Sequence, residues 1–252
     1  MKRRWLPILC ASAGLVLMAA AIASPVAAQN FSLDLGSGGS TTGRIVQLIA
    51  LLTVLSLAPS ILVMVTSFTR IVIVLSFLRS AMGVQQTPPN AVLVSLALFL
   101  TAFVMGPTLE TSYKNGLLPL MENQISEEEA FSRTVAPIRT FMLKHVREQD
   151  LRLFMDLAQN PVAATPADTP LRTLIPAFMI SELRRAFEIG FLLFLPFIVI
   201  DMVVASILMS MGMMMLPPVM ISLPFKLIFF VLVDGWYLVA GSLVQSYGSI
   251  SS

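Results

Sequence analysis

Residues 197–236 read FIVIDMVVASILMSMGMMMLPPVMISLPFKLIFFVLVDGW. Two apolar runs in this stretch are separated by Leu216-Pro217-Pro218, and such a proline pair interrupts helical structure. The runs belong to apolar segments at about 187–210 and 219–246, each close to the ~20 residues that a helix needs to cross a hydrocarbon core. The stretch therefore predicts two hydrophobic helices joined by a short turn.

Two more apolar segments lie upstream, at about 45–65 and 90–109. The first continues past Pro59, which predicts either one long kinked helix or two half-helices. Thr87-Pro88-Pro89-Asn90 separates the two segments, and Met105-Gly106-Pro107 is expected to end the second. With 56% hydrophobic and 12% charged residues, the chain has a membrane composition. We predict an all-α integral membrane protein with four hydrophobic helical segments.

A polar region, residues 110–186, separates the two pairs of hydrophobic segments and carries most of the charges. Ser126 and Glu129 have the spacing of a capping box, which predicts a helix start. A three-four spacing predicts an apolar stripe on one helical face, and Thr169 is expected to cap a further helix. The stripe consists of Ile138, Phe141, Met142, Val146, Gln149 and Leu153.

The N-terminus has the pattern of a secretory signal. Three basic residues precede an apolar core over 6–22, and Val26 and Ala28 are small residues placed for cleavage before Gln29. The alternative is an uncleaved first membrane helix. Cleavage would remove Cys10, the single cysteine. The predicted segments are a signal peptide (1–28), a flexible exported tail (29–43), a first hydrophobic helical pair (44–109), a periplasmic helical region (110–186) and a second hydrophobic pair with a Met-rich loop (187–252).

The charges predict the topology. A cleaved signal leaves the mature N-terminus outside the cytoplasm, so four crossings place residues 110–186 on the same, periplasmic side of a bacterial inner membrane. No acidic residue lies between Asp34 and Glu110, whereas Arg70 and Arg79 do, as a positive-inside connection requires. These two arginines are interpreted either as topology determinants or as contacts to other subunits or lipid.

Several blocks resemble the FliP family of flagellar export proteins, which has relatives in virulence-type secretion systems. The blocks are TSFTRIVIVLSFLR at 66–79, QQTPPN at 85–90, LALFLT at 96–101, PAFMISEL at 176–183 and most of 197–236. The resemblance covers 44–247 and is specific, because polar and helix-breaking residues recur at fixed places within hydrophobic sequence. Residues 111–175 match more loosely.

The resemblance implies a pore-forming subunit of the flagellar type III export gate, in the flagellar basal body of the inner membrane. Several copies, usually five, would form a ring or helical funnel with FliQ and FliR, which lifts much of the apparent transmembrane sequence above the bilayer. FlhB, FlhA and the basal-body membrane ring would be further partners. The gate would pass unfolded rod, hook and filament subunits.

Five methionines of the loop, Met209, Met211, Met213, Met214 and Met215, are candidates for a pore seal. One interpretation is that they fill gaps in a core, since methionine is flexible. The other is a deformable apolar seal, which would exclude ions by dewetting and yield around an unfolded chain. The resemblance favours the seal.

Asp201 and Lys226 are charged residues within strongly apolar sequence. An unpaired charge there costs about 2.5–3.5 kcal/mol. Each could reach a polar boundary by itself, but a pair within or between subunits would offset both costs and fix the packing register. A proton-relay function of Asp201 is the third alternative.

The sequence contains no zinc-ligand spacing, phosphate-binding loop or nucleophile elbow. We therefore predict no catalytic residue, metal or cofactor, and a protein that is not an enzyme. The net charge of +2 is too small to suggest nucleic-acid binding. A secondary transporter or ion channel would require more converging charges and an inverted repeat. A structural scaffold without a pore is the other alternative.

Overall fold

The computed structural model describes residues 41–84, 86–158, 169–213 and 215–248. These residues form helices joined by turns, and they contain no β-strand. The chain divides into two compact units, residues 1–53 and 54–252. In the first unit the described residues form the beginning of helix α1. The second unit contains the remaining helices. The helices are α1 (Thr41–Val65), α2 (Phe68–Ala81), α3 (Asn90–Ser112), α4 (Leu118–Met121), α5 (Glu127–His145), α6 (Glu148–Leu157), α7 (Leu171–Ser210), α8 (Pro218–Leu232) and α9 (Gly235–Tyr247).

Three helical runs of the described residues are long and apolar enough to cross a membrane: Ile45–Val65, Asn90–Met121 and Leu171–Ser210. Helices α8 and α9 qualify together as a fourth, although a bend of 63° separates them. With 40 residues, α7 is about 60 Å long, roughly twice the thickness of a hydrocarbon core. The fold is all-helical as predicted, and the model gives three or four candidate spans.

The core of the second unit is centred on the packing of α2 against α7. Apolar residues recur on α2 at three-four spacing and are fully buried, because they face the similarly apolar side of α7. Gly190 of α7 allows a close approach, since a Cβ atom there would lie 2.5 Å from the Phe77 ring. The main core residues are Ile71, Val74, Leu75 and Leu78 of α2 and Leu174, Phe178 and Ala186 of α7.

Two predicted helix ends are wrong. The segment expected to stop at Met105-Gly106-Pro107 continues through Pro107 to Ser112, passes through a π-helical turn at Tyr113–Leu117 and reaches Met121. Proline removes one hydrogen bond from the helix, and the packing of the following residues against α5 offsets that loss. The helix expected after Thr169 and the hydrophobic helix expected from about 187 form one continuous helix, α7, whose first turns pack on α2. Pro170, not Thr169, is the N-cap.

Helix α1 runs through Pro59 to Val65, and the separate helix α2 begins at Phe68, after a break at Thr66–Ser67. Ser126 caps α5 as predicted, since its Oγ accepts a hydrogen bond from the Glu129 N–H at 3.3 Å. The apolar stripe holds from Ile138 to Val146: Phe141 and Met142 are buried, and Ile138 and Val146 pack against the core. The helix breaks at Val146–Arg147, which resets the phase, so α6 buries Met155 and leaves Leu153 exposed.

Helix α5 packs antiparallel to α3. Near the end of the apolar run, Gly116 approaches Ala130 and Thr134, because a Cβ atom at position 116 would lie 2.1 Å from Thr134 Oγ1. Nearer the middle of α3, Val104 lines the same groove as Phe141 of α5. The polar helix α5 therefore runs alongside the second half of the apolar run Asn90–Met121, from about Val104 onward.

Candidate functional site: the α7–α8 hairpin and its polar contacts

The described residues on either side of Met214, between α7 and α8, have a defined backbone geometry. Gly212 adopts φ +71°, a left-handed conformation that favours glycine after a helix end. The N–H of Met213 donates to the carbonyl of Leu208 at 3.0 Å, which closes the last turn of α7. Pro217 is the N-cap of α8 and Pro218 its first residue, a position where the missing N–H costs nothing. The Gly and Pro-Pro signals of the sequence thus make a tight hairpin tip.

The methionines at this tip are exposed. The exposed fraction is 98% for Met215 and between 43% and 60% for Met209, Met211 and Met213. Met214 lies outside the described residues. A side chain that fills a gap in the core of its own chain would be buried, so the four described methionines do not serve that purpose within this chain. They form an apolar, polarizable surface at the end of the hairpin.

The two charged residues of the hairpin lie together. Lys226 Nζ is 2.6 Å from Asp201 Oδ2, and Ser222 Oγ donates to Asp201 Oδ1 at 2.5 Å. Lys226 also donates to the backbone carbonyl of Ala81 at 3.3 Å, which is the last residue of α2. The lysine therefore joins α7, α8 and the C-terminal end of α2, where the negative end of the helix dipole favours a cation.

A second buried ion pair joins α2, α7 and α9. Arg70 Nε donates to Glu182 Oε2 at 2.8 Å, Arg70 Nη2 pairs with Glu182 Oε1, and both side chains are fully buried. The Tyr247 hydroxyl donates to the same carboxylate, and its ring lies 3.8 Å from the guanidinium carbon. Arg70 Nη1 also donates to Ser246 Oγ at 3.0 Å. This arrangement is bidentate and fully hydrogen-bonded, as a buried ion pair requires.

This second cluster was not predicted from the sequence, which left Arg70 either as a topology determinant or as a contact to other subunits or lipid. Part of the signal was available. Arg70 lies in apolar sequence, as Asp201 and Lys226 do, whereas Glu182 lies in the polar region 110–186 and is followed by Arg184 and Arg185. The cost of an unpaired charge would therefore have suggested a partner for Arg70 without identifying Glu182.

His145 packs against this second cluster at the end of α5. Its ring centroid lies 4.8 Å from that of Phe141 and 5.1 Å from that of Tyr247. The pKa of His145 is lowered from 6.5 to about 4. Burial is the main cause, and the positive charges of Arg70, Lys144 and Arg185 contribute as well. The imidazole is therefore neutral at physiological pH.

The predicted cleavage site, Ala28 and Gln29, lies outside the described residues. Within the described ranges, no group of three or more His, Cys, Asp or Glu side chains is placed to hold a metal ion.

Comparison with known proteins identifies relatives over most of the chain. A model of the FliP family matches residues 51–243. The chain is 61% identical over 240 residues to the flagellar biosynthetic protein FliP of Caulobacter vibrioides, a match that covers 95% of this chain and 89% of the relative. The corresponding protein of Bacillus subtilis is 59% identical over 202 residues, covering 80% and 91%. That of Aquifex aeolicus is 48% identical over 247 residues, covering 97% and 99%.

Proposed function

Because the chain belongs to the FliP family, we propose that it forms the pore of the flagellar type III export gate and that its Met-rich loop seals this pore. Membership makes the chain a membrane component of the flagellar export apparatus and not an enzyme. Family membership alone does not establish the pore or the seal, and the proposal of both depends mainly on one observation. Four methionines at the tip of the α7–α8 hairpin are exposed in the single chain.

An exposed thioether cluster has a physical use in a ring of subunits. Repeated around a central axis, the tips would present an apolar constriction that ions cross only at the cost of dehydration. Methionine side chains have three rotatable bonds and require no fixed hydrogen bonds, so they would adapt to any passing sequence. The chain would thus conduct unfolded rod, hook and filament subunits while retaining the membrane potential.

The assembly would contain several copies of this chain, five by family resemblance, together with FliQ and FliR. Large apolar side chains remain exposed along the second half of α7, among them Phe191, Leu192, Val199 and Met202. In a folded chain such a surface requires lipid or protein contacts. FlhB, FlhA and the basal-body membrane ring would contact the finished complex.

The position of α5 supports a displacement of the complex out of the bilayer. The run Asn90–Met121 has 32 residues and is about 48 Å long, which exceeds the ~30 Å of a hydrocarbon core. The second half of this run packs beside α5, which carries the exposed pair Arg133–Glu129. Placing these charges in lipid would be costly. We infer that this second half lies outside the hydrocarbon region, on the periplasmic side together with the N-terminus left by signal cleavage.

The seal is tested by replacing Met213, Met214 and Met215 with alanine in cells that also produce FliQ and FliR. We expect a leak of ions, measured as a loss of membrane potential, because alanine is too small to close the constriction. The matched control is Met202→Ala, since Met202 is a similarly exposed methionine of α7 outside the tip. An intact membrane potential in the triple variant, with the protein present at normal level, would favour a scaffold without a pore.

The assembly is tested by the native mass of the detergent-purified chain, alone and with FliQ and FliR. We expect a discrete ring of several copies that gains both partners. A stable monomer or dimer that binds neither partner would contradict the export-gate proposal and return attention to a transporter.

A further inference from the structure

A polar groove lies where α2 ends and α3 begins, away from the methionine tip. It has a volume of about 430 Å³ and is lined by Arg79, Gln86, Pro89 and Asn90. Arg79 belongs to the last turn of α2 and Asn90 is the first residue of α3. Arg79 Nη1 donates to Asn90 Oδ1 and, at 3.4 Å, to the carbonyl of Pro88. These contacts hold the guanidinium group at the wall of the groove.

The charge of Arg79 is not neutralised by a carboxylate in the part of the chain that the structure describes. Its two acceptors, an amide oxygen and a backbone carbonyl, are both neutral. The nearby Lys226 is paired with Asp201, and Arg70 on the same helix is paired with Glu182. In sequence, no acidic residue lies between Asp34 and Glu110. The groove therefore carries a net positive charge that favours an anionic occupant.

The donors of Arg79 fit a group with two oxygens. Its hydrogen bonds to the described residues all use Nη1. The edge formed by Nε and Nη2 is the one that guanidinium groups use to bind carboxylate or phosphate oxygens in pairs. Asn90 accepts through Oδ1, which leaves its side-chain N–H groups as donors at the same wall.

The position of the groove indicates the source of the anion. Asn90 is the first residue of the apolar run Asn90–Met121, which is long enough to span a membrane. The end of such a run lies at the boundary of the hydrocarbon core, the depth at which lipid headgroups are found. Basic side chains at this depth attract anionic lipids. The phosphate of a lipid headgroup therefore has both the charge that the groove favours and the depth at which the groove is expected to lie.

We propose that this groove binds the phosphate of an anionic phospholipid headgroup, with Arg79 as the binding residue and Asn90 as a second donor. The bound lipid would anchor the junction of α2 and α3 to the membrane surface. The groove is separate from the methionine tip, and the proposal does not depend on pore formation.

The test uses the full chain purified in detergent and mixed with equal amounts of phosphatidylglycerol and phosphatidylcholine that have the same acyl chains. Native mass spectrometry measures the lipid that remains bound. We expect preferential retention of phosphatidylglycerol, and a loss of this preference by about tenfold in Arg79→Gln, the size expected for a charge-assisted contact. Arg152→Gln is the matched control, because Arg152 is exposed and already paired with Glu148.

A second variant guards against misfolding of Arg79→Gln. Asn90→Asp keeps the arginine and places a carboxylate beside Nη1, so it should abolish the preference by neutralising the groove. Retention of the preference in a folded Arg79→Gln, or in Asn90→Asp, would overturn the proposal, as would equal retention of both lipids by the unaltered chain. Displacement of the lipid by equimolar inorganic phosphate or by an acidic peptide would also overturn it, in favour of a soluble anion or a polypeptide.

Discussion

At the scale of single residues, the pair Asp201–Lys226 is buried unevenly, and this asymmetry has a consequence. The side chain of Lys226 is 5% exposed, whereas that of Asp201 is 32% exposed. Removing the aspartate leaves a buried cation with only the backbone carbonyl of Ala81 as a partner, while removing the lysine leaves a carboxylate that water can reach. We propose that the pair fixes the register of α7 against α8.

We therefore expect Asp201→Ala to lower the free energy of unfolding by about 3 kcal/mol or more and Lys226→Ala to lower it by less. The double variant should be less destabilised than the sum of the two single variants, which a double-mutant cycle in detergent measures. The control is the exposed pair Arg152–Glu148, for which about 0–1 kcal/mol is expected. Additive losses at Asp201 and Lys226 would show that the two side chains do not interact.

His145 should make stability depend on pH. Its folded-state pKa of about 4 lies below the usual 6.5, because the ring is buried against Phe141 and Tyr247 and faces the cations Arg70, Lys144 and Arg185. Between these values the unfolded chain binds more protons, so this contribution is present above pH 6.5 and is lost as the pH falls towards 4. His145→Gln should flatten the pH dependence of the melting temperature over this window. An equally steep dependence in the variant would assign it to other groups.

At the scale of elements, the bend between α8 and α9 depends on two adjacent residues. Asp234 adopts φ +50°, a left-handed conformation that is costly for most residues. Gly235 is buried, and a Cβ atom there would lie 2.1 Å from Cε2 of Phe230. The ring of Phe230 is itself held by an edge-to-face contact with Trp236, 5.4 Å between centroids.

Gly235→Ala is accordingly expected to destabilise the protein by about 1–3 kcal/mol through overpacking. Gly241→Ala is a matched control in the same helix, because no atom lies within 4 Å of the new Cβ, and it should raise stability by about 0.5–1 kcal/mol. Thermal unfolding measures both changes. Adding Phe230→Leu to Gly235→Ala should recover part of the loss, and a failure to do so would place the strain elsewhere.

At the scale of the whole molecule, the proposed topology is open to direct labelling. The single cysteine, Cys10, lies in the predicted signal peptide, so a mature chain would carry no thiol. We expect Gln124→Cys, in the exposed turn before α5, to react with a membrane-impermeant maleimide added to intact spheroplasts. Gln86→Cys, in the connection between α2 and α3, should react only after lysis. The reverse pattern would invert the proposed orientation.

The structure also explains which helix ends were predictable. The Pro-Pro turn at 217–218 and the Ser126 cap were correct, because both depend on chemistry within a few residues. Pro107 does not end its helix, and the helices expected from about 170 and from about 187 form the single helix α7. In both cases the result depends on packing between different helices. The second half of the run Asn90–Met121 packs against α5, and α7 packs against α2. Local propensity cannot include such contacts.

The sequence by itself determined the helical membrane composition, the hairpin with its methionine tip and the family, because these depend on composition, local breaks and ordered motifs. Only the tertiary structure decided which charges are paired and which are not. Arg70 and Arg79 are nine residues apart on one helix, yet Arg70 is buried against Glu182 and Arg79 faces an open groove. The physical reason is that the effect of a charge depends on its depth and its neighbours, and helices distant in sequence supply both.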